Sequence, residues 1–289
     1  DEARNVQWYL ESILFDVVGE VYAELEDLLG DEYPEVDVPK LFEFRSWAGS
    51  DRDGNPFVTP EVTTDTLERQ RAVVLEKYRV ALKRLSGFLS QDGRRIDVGP
   101  EIERSLKADA TRLPTVAAEA EERYPGEPYR QKLKLMRERL RRIEDVRPGG
   151  YAEKAELLDD LTTIDRSLRS TGAGVVADEY VEPLIRQVDT FGFTLASLDL
   201  RDHRKNHTEA VHEALAVEGI DYRDLDEDGR IEVLTEAILQ EGPVIDLENP
   251  GDVSDTAARV LRRFGMLGEW QSEFGVGAID TYCISMTEE

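Results

Sequence analysis

Apolar residues return at spacings of three and four along most of this chain, and that period predicts a series of amphipathic helices. Between Asn5 and Leu29 the stripe runs through Leu10, Ile13, Leu14, Val17 and Val21. Thr59-Pro60-Glu61 places a cap residue and a proline at a helix start. From there Leu67, Val74, Tyr78, Leu82, Leu85 and Leu89 carry one face toward a stop near Gln91-Asp92-Gly93. Gly99-Pro100 opens a helix through about Glu122. Glu127-Pro128 opens another, with Leu133, Met136, Leu140 and Ile143 on one side and Arg147-Pro148-Gly149-Gly150 as its stop. Further helices fit 152–170, 175–190, 204–217, 225–241 and 252–268. Periodic faces of this kind read as packing surfaces, because every surface helix must bury one.

Three short runs break the helical period and carry β-branched or aromatic residues: Leu41–Trp47, Phe193–Leu198 and Ile279–Ser285. Long helical stretches separate them, so they pair most simply as parallel strands joined by crossovers. The fold class expected is mainly α, a helix-rich single domain over 1–289 in which three isolated parallel strands form part of a β/α barrel. Charged clusters follow the first two strands, Asp51-Arg52-Asp53 and Arg201-Asp202-His203-Arg204-Lys205. In a barrel the carboxyl ends of the strands converge on one mouth, which would bring these distant clusters to one site.

Charge narrows the function. The 289 residues carry a net charge of −26, a field that repels nucleic-acid phosphates and anionic lipid surfaces alike. No apolar run is long enough to span a bilayer, and Asp1-Glu2 does not begin a signal peptide, so a soluble cytoplasmic protein is expected. Eight lysines stand against 28 arginines. That imbalance inside an acid excess suggests a halophile, where salt screens self-repulsion. The single Cys283 excludes an internal disulfide and reads as a small buried hydrophobe.

The segment Trp47-Ala48-Gly49-Ser50-Asp51-Arg52-Asp53-Gly54-Asn55-Pro56 crowds charge and turn formers together. Asp and Asn bond nearby backbone amides, Gly54 permits φ > 0, and Pro56 restricts Asn55, so the loop is pinned. Two readings stand: an elaborate turn whose Arg52 is locked by its flanking aspartates, or a functional loop. With Phe44-Arg45-Ser46-Trp47 before it, this run resembles the Ser-Trp strand end and Gly-Gly-Asp-Arg-Asp-Gly-Asn-Pro loop of phosphoenolpyruvate carboxylases, with Ser50 in place of the second glycine. Leu198-Asp199-Leu200-Arg201 and His207-Thr208-Glu209 resemble that family's Leu-Asp-Ile-Arg strand end and His-Thr-Glu helix. Glu127-Pro128-Tyr129-Arg130 and Tyr282-Cys283-Ile284-Ser285-Met286 are similar to further segments of it.

The resemblance implies an internal fragment, largely from the first half of an enzyme that joins bicarbonate to phosphoenolpyruvate, giving oxaloacetate and phosphate with magnesium. It implies that Arg201 binds the substrate phosphate, as suits a permanently charged bidentate donor, and that Asp51, Arg52 and Asp53 lie near the same site. Asp202 and His203 stand where the family more often has Gln and an acidic residue. The family's Thr-Ala-His-Pro-Thr segment with its catalytic histidine is absent from the chain. So are its catalytic lysine motif, its Arg-Gly-rich loop and its magnesium carboxylates. The chain alone is therefore expected to be inactive, with magnesium and a homo-oligomeric state belonging to the parent. The alternative is a helical interaction module without catalysis.

Two ligand-like patterns compete with plainer readings. Asp224, Asp226, Asp228 and Gly229 copy the first half of an EF-hand loop, but Thr235 occupies the twelfth position, where calcium needs a bidentate Glu. A helix start explains the acidic residues better. His203 and His207 have the spacing of metal ligands on one helix face, but Arg204 and Lys205 between them oppose a cation. Gly172-Ala173-Gly174 reads as a link between helices.

Overall fold

The computed structural model describes residues 2–287 apart from 31, 32, 34, 35, 37, 54, 56, 243, 248 and 249. Gly54 and Pro56, which the sequence assigns to pinning the loop, thus lie outside the described residues. The first helical stripe forms α1 (Glu2–Tyr9), a wider π turn at Leu10–Leu14, and α2 (Phe15–Gly30). The predicted capped helix is α3 (Pro60–Phe88). The helix expected from Gly99 to Glu122 is two, α4 (Pro100–Arg112) and α5 (Pro114–Arg123), because Pro114 lacks the N–H that would continue the ladder. Then come α6 (Pro128–Glu144), α7 (Lys154–Ser170), α8 (Gly174–Val176) and, after a π turn at Ala177–Val181, α9 (Glu182–Phe191). The last helices are α10 (Arg204–Val217), α11 (Glu227–Leu239) and α12 (Asp255–Phe274). None is long and apolar enough to cross a membrane.

The chain divides into two compact units. One holds the residues through Phe44 together with Leu67–Ala196. Its core is helical: Val74, Tyr78 and Leu82 of α3 share one cluster with Leu133, Met136 and Leu140 of α6 and with Leu157, Leu161 and Ile164 of α7. A charged knot sits inside it. Lys132, fully buried, lies 2.5 Å from Asp109 and 2.6 Å from Asp160, while Tyr151 donates its hydroxyl to Asp160 at 2.7 Å. Arg139 reaches Asp160 and Glu156 and stacks over the Tyr151 ring. A buried ion left alone costs several kcal/mol, roughly, which is why these charges occur paired with one another.

The other unit comprises Arg45–Thr66 and the residues from Ser197 onward. Three parallel strands run through it in the order β1 (Arg45–Ser46), β2 (Ser197–His203) and β3 (Thr281–Ser285). Arg45 pairs with Ser197 and Ser46 with Leu198. Asp199 through His203 pair with Thr281 through Ser285. On one side α10 packs on α12 through Ala210, Ala257 and Val260. The fold is mainly α with a small parallel sheet whose strands are those of a partial barrel.

The strands do not keep the bounds that the apolar pattern predicts. Phe193–Leu198 was expected as the second strand, yet Leu195 and Ala196 belong to the helical core of the first unit, and the Ala196 N–H donates to Gln70 Oε1 at 2.9 Å instead of entering a ladder. The strand proper begins at Ser197 and runs on through the charged residues to His203, since each of those charges finds a partner beside the sheet. Phe42 likewise meets Tyr22 edge to face and Phe44 stacks on Phe191 in the helical core, leaving only Arg45 and Ser46 in β1. Cys283 is exposed, contrary to the buried hydrophobe expected, because β3 is an edge strand with one neighbour.

Candidate functional site

Beyond β1 the chain turns at once. The N–H groups of Ser50 and Asp51 both donate to the Trp47 carbonyl, at 3.0 and 2.9 Å. Gly49 sits at φ +93°, and a Cβ there would run into the Thr66 side chain, so this turn requires glycine. Ser50, where the family's glycine is expected, is fully buried and keeps φ negative. Its hydroxyl donates to the Asp199 carbonyl at 2.7 Å, fastening the loop to β2.

One residue later the loop acts as an additional strand. Asp51 bridges Arg201 in parallel fashion, and the Arg52 N–H donates to the Arg201 carbonyl at 3.0 Å. The Asp51 carboxylate accepts the Asp53 N–H at 3.0 Å, and Asn55 Oδ1 accepts the Phe57 N–H at 3.1 Å, as the turn chemistry of these residues predicts. The structure thus brings Asp51 and Arg52 directly against Arg201. Asp53 is exposed one turn further out.

Arg52 is not held by its flanking aspartates. Its guanidinium turns inward, donating to the Ser50 carbonyl at 2.9 Å and to Thr63 Oγ1 at 2.7 Å, and lies 6.0 Å from the Trp270 ring centre. Among the described residues no carboxylate pairs with it. Burial and the neighbouring Arg263 pull its pKa from the usual arginine value to about 10.

Arg201 presents a different face. Its guanidinium lies 4.5 Å over the Trp47 ring, and its Nη2 stands 3.6 Å from Asp199 Oδ2. The Arg201 Nε is buried without a hydrogen-bond partner among the described residues. Asp199 is shared with Arg45, which also grips Asp280 at 2.7 Å, so its charge is divided between two cations. The side chain of Arg201 remains 35% exposed. The result is a cation braced from below, with donors to spare for an outside anion.

Asp202 and His203 have local roles. Asp202 is 1% exposed and pairs with Arg263 of α12, while its Oδ1 accepts from the His203 N–H and from Asn206 Nδ2, both at 2.7 Å. Burial raises the Asp202 pKa, but these bonds outweigh it and hold the carboxyl below its usual range. The Arg263 guanidinium also donates to the Tyr282 hydroxyl at 2.6 Å, and that hydroxyl stands 3.3 Å from His207 Nε2. Burial depresses the His207 pKa and raises that of Tyr282. His203 caps α10 through Nδ1, which accepts the Lys205 N–H, and Asp226 caps α11 by accepting the Gly229 N–H. His203 and Asp226 are thus helix caps, while His207 packs its ring against Tyr282 and Phe264. Arg263 and Trp270 escaped the sequence reading, and Trp47 entered it only as a strand end. Only the unusual Asp202, a carboxylate in need of a cation, signalled one of them.

Among the described residues no group of three or more His, Cys, Asp and Glu stands together as metal ligands. The sequence profile of phosphoenolpyruvate carboxylase matches residues 1–289. A phosphoenolpyruvate carboxylase of Roseiflexus castenholzii is 37% identical over 305 residues, which take in 99% of this chain and 32% of that protein. One from Thermosynechococcus vestitus is 35% identical over 312 residues, covering 100% of this chain and 30% of that protein. The chain spans about 30% of the length of the relatives it matches. With the match unbroken from end to end, the chain belongs to the phosphoenolpyruvate carboxylase family.

Proposed function

We propose that this chain is an internal part of a phosphoenolpyruvate carboxylase, and that Arg201 takes up the phosphate of phosphoenolpyruvate in the intact enzyme. The observation that carries the reading is the geometry of Arg201 itself. It is stacked on Trp47 and only weakly paired with a shared Asp199, and one buried N–H has no partner. A phosphate monoester supplies what that guanidinium lacks. In the reaction the family resemblance implies, carboxyphosphate and an enolate form before the new carbon–carbon bond, and a fixed cation such as Arg201 stabilises charge as it develops. Asp51 and Arg52 position Arg201 through the backbone.

The same reading makes the chain inactive by itself, with the catalytic histidine, lysine and magnesium ligands supplied from elsewhere in the enzyme. Magnesium finds no ligand set among the described residues. The acid excess and the preference for arginine over lysine support a halophilic, cytoplasmic source, and a homo-oligomer is proposed for the parent. A coupled assay of oxaloacetate formation tests the assignment. The isolated chain should give no turnover, and Arg201→Gln in the intact protein should raise the KM for phosphoenolpyruvate at least tenfold. An unchanged KM would remove Arg201 from the substrate site, and an intact protein without turnover would favour instead a helical interaction module that kept only the fold.

A further inference from the structure

Successive residues of a strand point to opposite faces of its sheet. Arg201 therefore faces one side of β2, and Asp202 the other, toward α10 and α12. On that second side lies a cavity of about 240 Å³, lined among others by Arg52, Arg259, Arg262 and Arg263 and by the carboxylates of Glu61 and Asp202. Nothing in the proposed reaction uses it.

Its charge runs against the composition of the chain. Asp202 is consumed by Arg263, and Glu61 stands 3.5 Å from Arg262. Arg52 gives its hydrogen bonds to a carbonyl and a hydroxyl. Arg259 gives its own to the Asp255 carbonyl and Thr256 Oγ1. Two guanidiniums therefore line one cavity with no carboxylate of their own among the described residues, in a chain of net charge −26. Arg52 is 9% exposed, and a buried cation of that kind is costly unless an anion answers it. The Arg263 Nε is also buried without a partner.

We propose that this cavity is a second anion site, distinct from Arg201, built for a phosphate-class dianion. Two surplus guanidiniums match the two charges of a phosphate dianion, and the guanidinium fork suits its oxygens. The volume leaves space for a small organic body attached to the phosphate. The site's anion neutralises Arg52, whose backbone N–H donates to the Arg201 carbonyl, so occupancy of the cavity stiffens the loop from behind.

Isothermal titration calorimetry with inorganic phosphate tests this in the intact protein carrying Arg201→Gln, which removes the first phosphate site. The titrations are run at fixed ionic strength, because exposed charges are screened. About one phosphate per chain should bind, and Arg259→Gln/Arg262→Gln should weaken it at least tenfold. Both of those arginines are exposed on α12, so the pair of substitutions leaves the core intact. Arg52→Gln should weaken it as much or more. Absence of saturable phosphate binding in the Arg201→Gln protein overturns the proposal, as does binding that Arg259→Gln/Arg262→Gln leaves unchanged.

Discussion

The backbone N–H of Arg52 donates to the carbonyl oxygen of Arg201 at 3.0 Å, so the loop after β1 is laid along β2 as a short parallel extension of the sheet. Two side chains that repel each other are thereby mounted on adjoining backbone and sent in different directions. Arg201 goes out over Trp47, and Arg52 goes in against Trp270. The loop's polar residues serve this separation. They satisfy the turn and leave Arg201 with donors for a ligand.

The Trp47 platform sets the first prediction. Arg201→Lys keeps the charge but loses the planar fork and its fit to the ring. It should raise the KM for phosphoenolpyruvate about tenfold in the intact enzyme, with kcat less affected, the cost being that of about one charge-assisted hydrogen bond. Trp47→Leu should raise the same KM by a smaller factor, about fivefold, from the loss of roughly 1 kcal/mol of cation–π stabilisation. Steady-state kinetics reads both. Equal KM values for the two variants and the parent would remove Arg201 from the substrate site.

Ser50 reverses the usual expectation for a glycine-rich loop. Its hydroxyl donates to the Asp199 carbonyl at 2.7 Å, and the residue is fully buried. Ser50→Ala should cost about 1–2 kcal/mol, since a buried acceptor is left unanswered. Ser50→Gly, which restores the residue usual in the family, should cost at least as much because glycine adds freedom to the unfolded chain. Urea unfolding of the three proteins checks the order. A Ser50→Gly protein more stable than the parent would show that the hydroxyl contributes nothing.

Most of the helices were legible because their signal is local. Tyr78, Leu82 and Leu85 form one face whatever the rest of the chain does. The second strand was misplaced because an apolar run does not say which core it serves. Leu195 and Ala196 go to the helical cluster, and the strand is written in Ser197-Leu198-Asp199-Leu200-Arg201-Asp202, where Arg45 and Arg263 answer the charges of the two aspartates. Cys283 was misread for a related reason, since edge position is a property of the sheet and not of the residue. In the candidate site, Asp51, Arg52 and Arg201 could be named from the sequence. Arg263 and Trp270 could not, since only the crossover of α12 to β3 carries them there.

The pair of Asp202 with Arg263 is a second test of stability. Each is almost fully buried. Asp202→Asn leaves a buried guanidinium without its counter-charge and should cost about 3–5 kcal/mol. Replacing both, as Asp202→Leu/Arg263→Met, should recover most of that loss, because two desolvation penalties leave together with the attraction. Chemical denaturation of the single and double variants measures the coupling. Additive losses would mean that the two residues do not stabilise one another.

His207 makes the fold sensitive to mild acid. Its ring is half-buried against Tyr282 and Phe264 and is faced by Asp202 and Arg263. Burial, aided by Arg263, depresses its pKa, while Asp202 opposes the shift without cancelling it. The folded state therefore holds His207 neutral at a pH where the unfolded chain, with an ordinary histidine pKa of about 6.5, already takes up a proton. The histidine's contribution to stability is complete above about pH 6.5 and declines as the pH falls below it. Asp202 does not confound this range, because its own pKa is held below the normal carboxylate value. The urea midpoint should thus drop between pH 7.5 and 5.5, and His207→Gln, which keeps a hydrogen-bonding partner for the Tyr282 hydroxyl, should flatten that drop. The same pH dependence in parent and variant would place the proton uptake at another group.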